Sequence, residues 1–319
     1  MQRHMETERW PRQGSLRRRL GRTATTLSLL SAVACTSAQT PASVAGVGSG
    51  GATAHEVSIA TWNMCGVRQW SCEKTGSPKE KFQQLRKLID DSDVHVLLLQ
   101  EVCSEDLVSS ARSLGPQWHS AFEPYAEVDA AGRRSPVDCT GQGRGQAGYG
   151  LLAGSALTDV ELIPSEQPTV GLHRGILCAR VPAQELRVCN AHLSLRESDA
   201  EHPEWDFRDD QLSSLVAAAS TDARTVFGGD FNSPPPVGDR NTSAWIWPSE
   251  TYTTYRECDQ KGGSRSGRAT LKDGTKIDYL FTRLPRTDCK VVDTKASDHR
   301  PLVMRVSRPE TPSGVSTAR

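Results

Sequence analysis

Apolar positions along this chain follow two periods. Val57-Ser58-Ile59-Ala60-Thr61-Trp62-Asn63-Met64 alternates and is rich in β-formers, which predicts the first strand of a folded domain. Val94 to Cys103 is almost continuously apolar up to Gln100-Glu101, as expected of a strand covered on both faces. Further strands are expected at Tyr149-Gly150-Leu151-Leu152-Ala153, at Thr225 to Asp230, at Lys276 to Phe281 and after Pro301. Residues 173–181 and 185–193 read as a hairpin turning near Pro182-Ala183. Two stretches repeat at 3.6 residues instead. Lys79 to Ile89 aligns Phe82, Leu85, Leu88 and Ile89 behind Pro78, and Asp206 to Ala219 aligns Phe207, Leu212, Leu215 and Val216. Both predict amphipathic helices laid on a sheet. The Gly-, Arg- and Pro-rich residues 123–148 read as a long surface loop. No linker divides residues 55–306, which predicts one domain.

Composition changes this picture at the ends. With 36% hydrophobic and 24% charged residues, 319 residues suffice for one large α/β domain or two small ones. Net charge is zero but uneven, because residues 1–34 hold seven arginines against Glu6 and Glu8. The remaining body is mildly acidic and gives no electrostatic footprint of a nucleic-acid binder. It leaves room for a nuclease whose metal ions meet the phosphate. Arg17-Arg18-Arg19 followed by the short apolar run Leu27 to Ala34 predicts an export signal over 1–34, since the run is too short to span a bilayer. Cys35 follows the small-residue site Ala32-Val33-Ala34 in a lipobox-like arrangement, but Ala32 stands where Leu is usual, so lipid anchoring through Cys35 stays open. Residues 35–54 are expected to be a flexible tether and 307–319 a disordered tail.

Eight further cysteines stand behind that signal: Cys65, Cys72, Cys103, Cys139, Cys178, Cys189, Cys258 and Cys289. An even count in an exported chain implies disulfides in an oxidising compartment, and C-x-x-C clusters for zinc are absent. Sequence does not fix the connectivity. The expected set pairs neighbours in order, with Cys178–Cys189 best supported because the two lie on the arms of the hairpin.

Candidate chemistry sits at strand ends. In Gly228-Gly229-Asp230-Phe231-Asn232-Ser233-Pro234, Asp230 and Asn232 share one face of a strand end while Phe231 turns into packing. They read either as an Asx-type turn or as a pair that activates and orients a water. Glu101, after five apolar residues, is either a solvated strand-end carboxylate or the partner of a cation. His192 at the hairpin tip is structural or catalytic, and Arg174 is a surface residue or an oxyanion clamp. Asp278 lies inside an apolar run, and Asp298-His299 precedes the last strand. Strands that converge at one edge of a layered domain would bring these residues into one cleft.

The order Trp62-Asn63, Leu99-Gln100-Glu101, His192-Leu193, Gly229-Asp230-Phe231-Asn232, Ile277-Asp278-Tyr279 and Ser297-Asp298-His299 resembles the endonuclease/exonuclease/phosphatase superfamily, whose branches include deoxyribonucleases, sphingomyelinases and inositol polyphosphate phosphatases. The resemblance spans about residues 57–306. It implies an α/β fold in four layers, a sandwich of two mostly antiparallel β-sheets packed face to face with helices outside. It implies a Mg²⁺- or Mn²⁺-dependent phosphoric ester hydrolase, with Glu101, Asn63 and Asp298 on the metal side. His192, Asp230, Asn232, Asp278 and His299 take the catalytic places, with Asp278 raising the pKa of His299. Arg174 approximates a substrate-phosphate residue of some branches. In 123–148 no residue matches the Glu or Tyr that partners the first histidine elsewhere in the family.

The resulting expectation is a secreted phosphodiesterase, a nuclease acting on DNA, working as a monomer without a protein partner. The alternatives are a phospholipid or inositol-phosphate phosphoesterase, for which Trp245-Ile246-Trp247 is a small candidate membrane contact, and a non-catalytic binding protein on the same fold.

Overall fold

The structure, a computed structural model, describes residues 55–72, 74–237 and 243–308. The expected export signal, the tether with Cys35, and residues 309–319 of the expected tail lie outside the described residues. Ser307 and Arg308, placed in that tail by the sequence pattern, instead complete the last strand.

Strand β1 (His55–Asn63) is followed by α1 (Pro78–Ser92), β2 (Val94–Cys103) and α2 (Ser104–Leu114). Next come β3 (His119–Pro124), β4 (Ala126–Val128), β5 (Arg134–Pro136), β6 (Ala147–Ala153), β7 (Thr158–Ile163) and β8 (Gly171–His173). The hairpin of β9 (Gly175–Val181) and β10 (Leu186–His192) leads into α3 (Arg208–Ser220) and β11 (Thr225–Asp230). The chain closes with α4 (Glu250–Thr253), β12 (Arg256–Glu257), β13 (Asp278–Thr282), β14 (Arg286–Val291) and β15 (Leu302–Arg308).

Two six-stranded sheets form, ordered β14-β15-β1-β2-β6-β3 and β12-β13-β11-β10-β9-β7. Each is built around one parallel pair, β1 with β2 and β10 with β11, and is otherwise antiparallel. A parallel pair needs a crossover, and α1 and α3 supply the two. Helix α1 is set at its start by Ser77, which exchanges capping bonds with Glu80, and by Pro78 in the first turn.

Three separate apolar clusters fill the three spaces between four layers. Val57, Ile59, Leu98, Leu151, Val188, Val226, Leu280 and Met304 meet between the sheets. Trp62, Leu85, Leu97, Leu99 and Leu107 lie between the first sheet and α1–α2. Leu212, Leu215, Phe227, Phe231 and Phe281 lie between the second sheet and α3. Strand alternation makes this division, because even and odd positions of one strand feed opposite spaces. The expected four-layered sandwich is the observed architecture. All four expected disulfides are present: Cys65–Cys72, Cys103–Cys139, Cys178–Cys189 and Cys258–Cys289. Cys178 and Cys189 are register partners on β9 and β10, and Cys258–Cys289 joins the β12 end of one sheet to β14 of the other.

Two readings change. Residues 123–148 are not one surface loop: they carry β4 and β5, which form a small sheet with β8, and they bury Tyr125. Helix α2, which no apolar period in the sequence singles out, buries Leu107, Ser110 and Ala111 and is anchored by the Asp106–Arg144 ion pair at 2.5 Å.

Candidate active site

Every strand of the two parallel pairs ends at the same edge of the sandwich, and each delivers one functional side chain there. Asn63 ends β1, His192 ends β10 and Asp230 ends β11. Asp278 begins β13, which runs antiparallel to β11, so it reaches the same edge from the opposite direction. His192 and Asp278 are the register partners of Asp230 on either side, a row of three across one sheet.

Glu101 needs a further device. Val96 and Leu98 face the space between the sheets while Leu97 and Leu99 face the helices, so strict alternation would send Glu101 toward the helices. The register with β6 slips between Leu99 and Val102, and Glu101 adopts a left-handed φ of 49°. This bulge re-aims the carboxylate into the cleft. Gly66 makes room for the bulge: its N–H donates to the Glu101 carbonyl at 2.7 Å, and a Cβ there would lie 2.5 Å from that oxygen. Gly229 plays the same part on β11, where a Cβ would stand 1.8 Å from the Ala191 carbonyl.

Asn63 joins the two sheets at the site. Its Nδ2 donates to Glu101 Oε1 at 3.2 Å and to Asp230 Oδ2 at 3.0 Å, while Cys65 N–H donates to its Oδ1 at 2.9 Å and fixes the amide orientation. Asp230 Oδ1 accepts from the Asn232 backbone N–H at 2.9 Å, and Oδ2 lies 3.6 Å from His192 Nε2 and 3.8 Å from His299 Nε2. The Asx-type reading of the Asp230-Phe231-Asn232 segment is borne out by this bond, and Asp230 is buried at the centre of the cluster. Asn232 Nδ2 donates to Leu193 O at 2.8 Å, which ties the ends of β10 and β11 together.

Charge states follow from burial and neighbours. Burial, then the nearby Asp278, pushes the Asp230 carboxyl up to about 6. Burial pushes Glu101 up to about 7, against the opposing pull of Asn63, His299 and Arg174. Burial would lower the His299 imidazole, but Asp278, hydrogen-bonded at 2.9 Å and 3.1 Å, together with Asp230 and Asp298, raises it to about 10. His192 moves the other way: burial, then Arg174 and His299, hold it well below the usual histidine range. The two histidines thus carry different charges at neutral pH, an imidazolium at 299 and a neutral ring at 192.

Tyr125 is the residue that sequence reading missed. Glu101 N–H donates to its hydroxyl oxygen at 3.1 Å, and the hydroxyl lies 2.6 Å from His192 Nδ1. The Asp230 carboxylate faces Nε2 at 3.6 Å, which favours the His192 proton on that nitrogen and leaves Nδ1 to accept from the phenol. Tyr125 stands just before β4, where alternation would place it with the exposed Glu127, so the local pattern does not reveal its burial. The available signal is that it is the single tyrosine of residues 123–148, where the family carries a Glu or Tyr partner of this histidine. Lys81 of α1 was also missed. Its buried Nζ donates to Met64 O at 2.8 Å, Thr75 Oγ1 at 2.8 Å and Ala296 O at 2.6 Å, linking the segments beside Asn63 and His299.

Arg174 and Asp298 complete the set less tightly. Arg174 Nε is buried without a hydrogen-bond partner among the described residues, and its charge acts on Glu101, Tyr125 and His192. Asp298 is exposed, accepts from Ser297 Oγ at 3.3 Å, and stands outside the buried network.

The residues fit a hard cation on the Glu101 side. The Glu101 carboxylate has no Lys, Arg or His ion pair among the described residues, and its Oε2 meets the Cys72 sulfur at 3.6 Å, which as a disulfide has no proton to give. Asp230, Asp278 and His299 also cluster closely enough to hold an ion, with the His299 Nδ1 already engaged by the Asp278 carboxylate at 2.9 Å.

The sequence profile of the Endonuclease/Exonuclease/phosphatase family matches residues 60–299. No curated protein matches at a significant level. Among solved structures, the 3′ phosphatase NExo from Neisseria bound to product DNA hairpin is similar with a TM-score of 0.53 at 14% identity, over 78% of this chain and 98% of that one. ANGEL2, a 2′,3′-cyclic phosphatase, gives a TM-score of 0.52 at 16% identity, over 80% and 95%. An endonuclease/exonuclease/phosphatase family protein from Leptotrichia buccalis gives 0.53 at 13%, over 78% and 99%. These likenesses agree on the fold, and with the profile spanning most of the chain from β1 to His299, the protein belongs to the Endonuclease/Exonuclease/phosphatase family.

Proposed function

We propose that the protein is an exported, divalent-metal-dependent phosphodiesterase that cleaves DNA. The observation that carries this reading is the grouping, around Asp230, of one imidazolium, one neutral Nε2–H donor and a carboxylate that lacks a cation. Arg174 adds a buried guanidinium Nε without a partner among the described residues. A phosphate group would satisfy these donors together.

Each residue then has a part. Glu101, with Asn63 beside it and Asp298 at the rim, would hold Mg²⁺ or Mn²⁺, which supplies charge neutralisation at a phosphate oxygen. Asp230, raised toward neutrality by burial, accepts the proton of the attacking water, and Asn232 orients that water. His192 donates its Nε2–H to the phosphate, and His299 with Asp278 behind it neutralises or protonates an oxygen as charge builds. Arg174 clamps a further oxygen.

DNA is favoured over a phospholipid headgroup by the Trp245-Ile246-Trp247 segment. Ile246 and Trp247 are buried, so within this segment Trp245 is the one side chain turned to solvent. One structural neighbour is bound to a product DNA hairpin. Four disulfides support an oxidising destination, and no helix among the described residues is long and apolar enough to cross a membrane.

The test is one substrate panel of plasmid DNA, RNA, sphingomyelin vesicles and inositol phosphates, each with and without a chelator. Nicking of plasmid that chelator abolishes is the expected result. Phosphocholine release without nicking would replace DNA by lipid, and chelator-resistant hydrolysis would overturn the metal.

A further inference from the structure

Two large indoles stand in solvent close to the catalytic edge. Trp205 is 44% exposed and Trp245 60% exposed, and they line one groove of about 260 Å³ together with Arg196, Glu197, Glu204 and Ser243. Two indoles exposed on one groove together offer flat apolar surface on which an aromatic ring can stack. We propose that this groove is a stacking subsite for an unpaired nucleobase of the nucleotide strand whose phosphate enters the active site. The proposal rests on the phosphodiesterase reading and specifies its substrate.

The groove is fastened to the catalytic residues by Arg208, which is buried. Its guanidinium pairs with Asp206 at 2.5 Å, beside Trp205, and reaches Ser243 Oγ at 3.3 Å, two residues before Trp245. Its NH1 donates to the Asn232 carbonyl at 2.7 Å. One side chain therefore sets the positions of both indole segments and of the water-orienting amide. From the other side, Arg196 follows His192 by four residues. Arg208 thus places the groove one side chain away from the Asn232 carbonyl, two residues beyond Asp230, where a strand held by its phosphate would pass.

Order and charge both select the occupant. The Trp205 ring is stacked on His202 at 3.8 Å and 11° and set edge-on against Phe207 at 6.2 Å, so it is held in place before anything binds. Preorganised aromatic surface loses little freedom on binding. Asp206 is neutralised by Arg208, Arg196 stands 3.8 Å from Glu197 and Glu204 stands 3.6 Å from the His202 ring. With Arg196 as the one Lys or Arg among the lining residues, the groove carries no surplus of positive charge. That lining disfavours a phosphate or an anionic bilayer, and suits an uncharged heterocycle whose amino groups donate to carboxylates. A base in a duplex is already stacked on its neighbours, so the subsite selects single strands, frayed ends or gaps.

The test compares the wild-type chain with Trp205→Ala, Trp245→Ala and Trp245→Phe. Binding of a labelled single-stranded oligonucleotide is measured by anisotropy with chelator present. Parallel measurements use strands carrying one base-free sugar at successive positions around the cleaved bond. Each alanine variant is expected to weaken binding of the intact strand about tenfold, the range for losing one stacked base. Trp245→Phe should restore most of the affinity. At one base-free position wild type and alanine variants should bind alike and turn over at the same rate. Equal binding of the intact strand by wild type and alanine variants would overturn the proposal. So would the same loss on intact and base-free strands at every position, or loss of phosphatidylcholine-vesicle binding in place of strand binding. If wild type hydrolyses no phosphoester at all, the phosphodiesterase reading fails, while the binding comparison still judges the groove.

Discussion

The hydroxyl of Tyr125 lies 2.6 Å from Nδ1 of His192, and the same oxygen accepts the backbone N–H of Glu101. One phenol thereby couples the orientation of the His192 ring on one sheet to the bulge that aims a carboxylate on the other. Tyr125→Phe should keep the fold and reduce kcat by about tenfold to a hundredfold, the usual scale for losing an orienting partner. Nitrogen NMR of His192 should then show Nδ1-protonated ring, a tautomer the wild type excludes. An unchanged kcat would remove Tyr125 from the mechanism.

Glu101→Gln tests the metal assignment. The amide keeps the size of the side chain but loses its charge, so added Mg²⁺ or Mn²⁺ should raise the Tm of wild type and leave the variant unmoved. Activity should fall by about a hundredfold or more. A variant that still gains Tm with metal would move the ion elsewhere.

Metal affinity should also depend on pH in a defined direction. Glu101 is raised from 4.5 to about 7, and a protonated carboxyl does not ligate. Calorimetric titration should therefore show affinity falling by up to about tenfold per pH unit once pH drops below about 7. Without metal the sign for stability is the reverse. Between 4.5 and about 7 the folded state holds a proton the unfolded state has lost, so Tm falls as pH rises through that window. Saturating metal should abolish that fall.

Asp278→Asn should act through His299. The Asp278 carboxylate is the largest influence holding the imidazolium against burial, which raises its pKa from 6.5 to about 10. Its loss should shift the alkaline limb of the kcat–pH profile downward and lower kcat about a hundredfold at neutral pH. In wild type the charged ring stabilises the fold fully below 6.5, and that contribution is lost as pH rises through about 10. A pH profile identical to wild type would show that His299 does not work as an acid.

How far the site could be read from sequence divides along strand geometry. Asn63, His192 and Asp230 end regular strands, and their places follow from apolar runs stopping at polar residues. Asp278 reaches the same edge although it starts its strand, because register with Asp230 and not strand direction places it. Glu101 was legible by type but not by direction, since alternation points it at the helices and a bulge sustained by Gly66 turns it back. Tyr125 and Lys81 were not legible. Each acts across a long loop or from a helix to carbonyl groups of distant segments, and such partners leave no local period. The disulfides were recovered in full because each pairs sequence neighbours, and in Cys178–Cys189 the hairpin register itself aligns the two residues.

Beneath the site, Gln100 Nε2 donates to Asn190 Oδ1 at 2.6 Å, and Asn190 Nδ2 returns bonds to Leu99 O and Gly150 O at 2.9 Å and 2.8 Å. This buried amide pair fixes how one sheet sits on the other, and polar groups so placed tolerate few alternative packings. Asn63 and Glu101 belong to the first sheet, and His192, Asp230 and Asp278 to the second. Neither half holds a working set alone. The proposed set is complete only when the two sheets are seated on one another, so hydrolysis by that set would report the assembled sandwich and not either sheet alone.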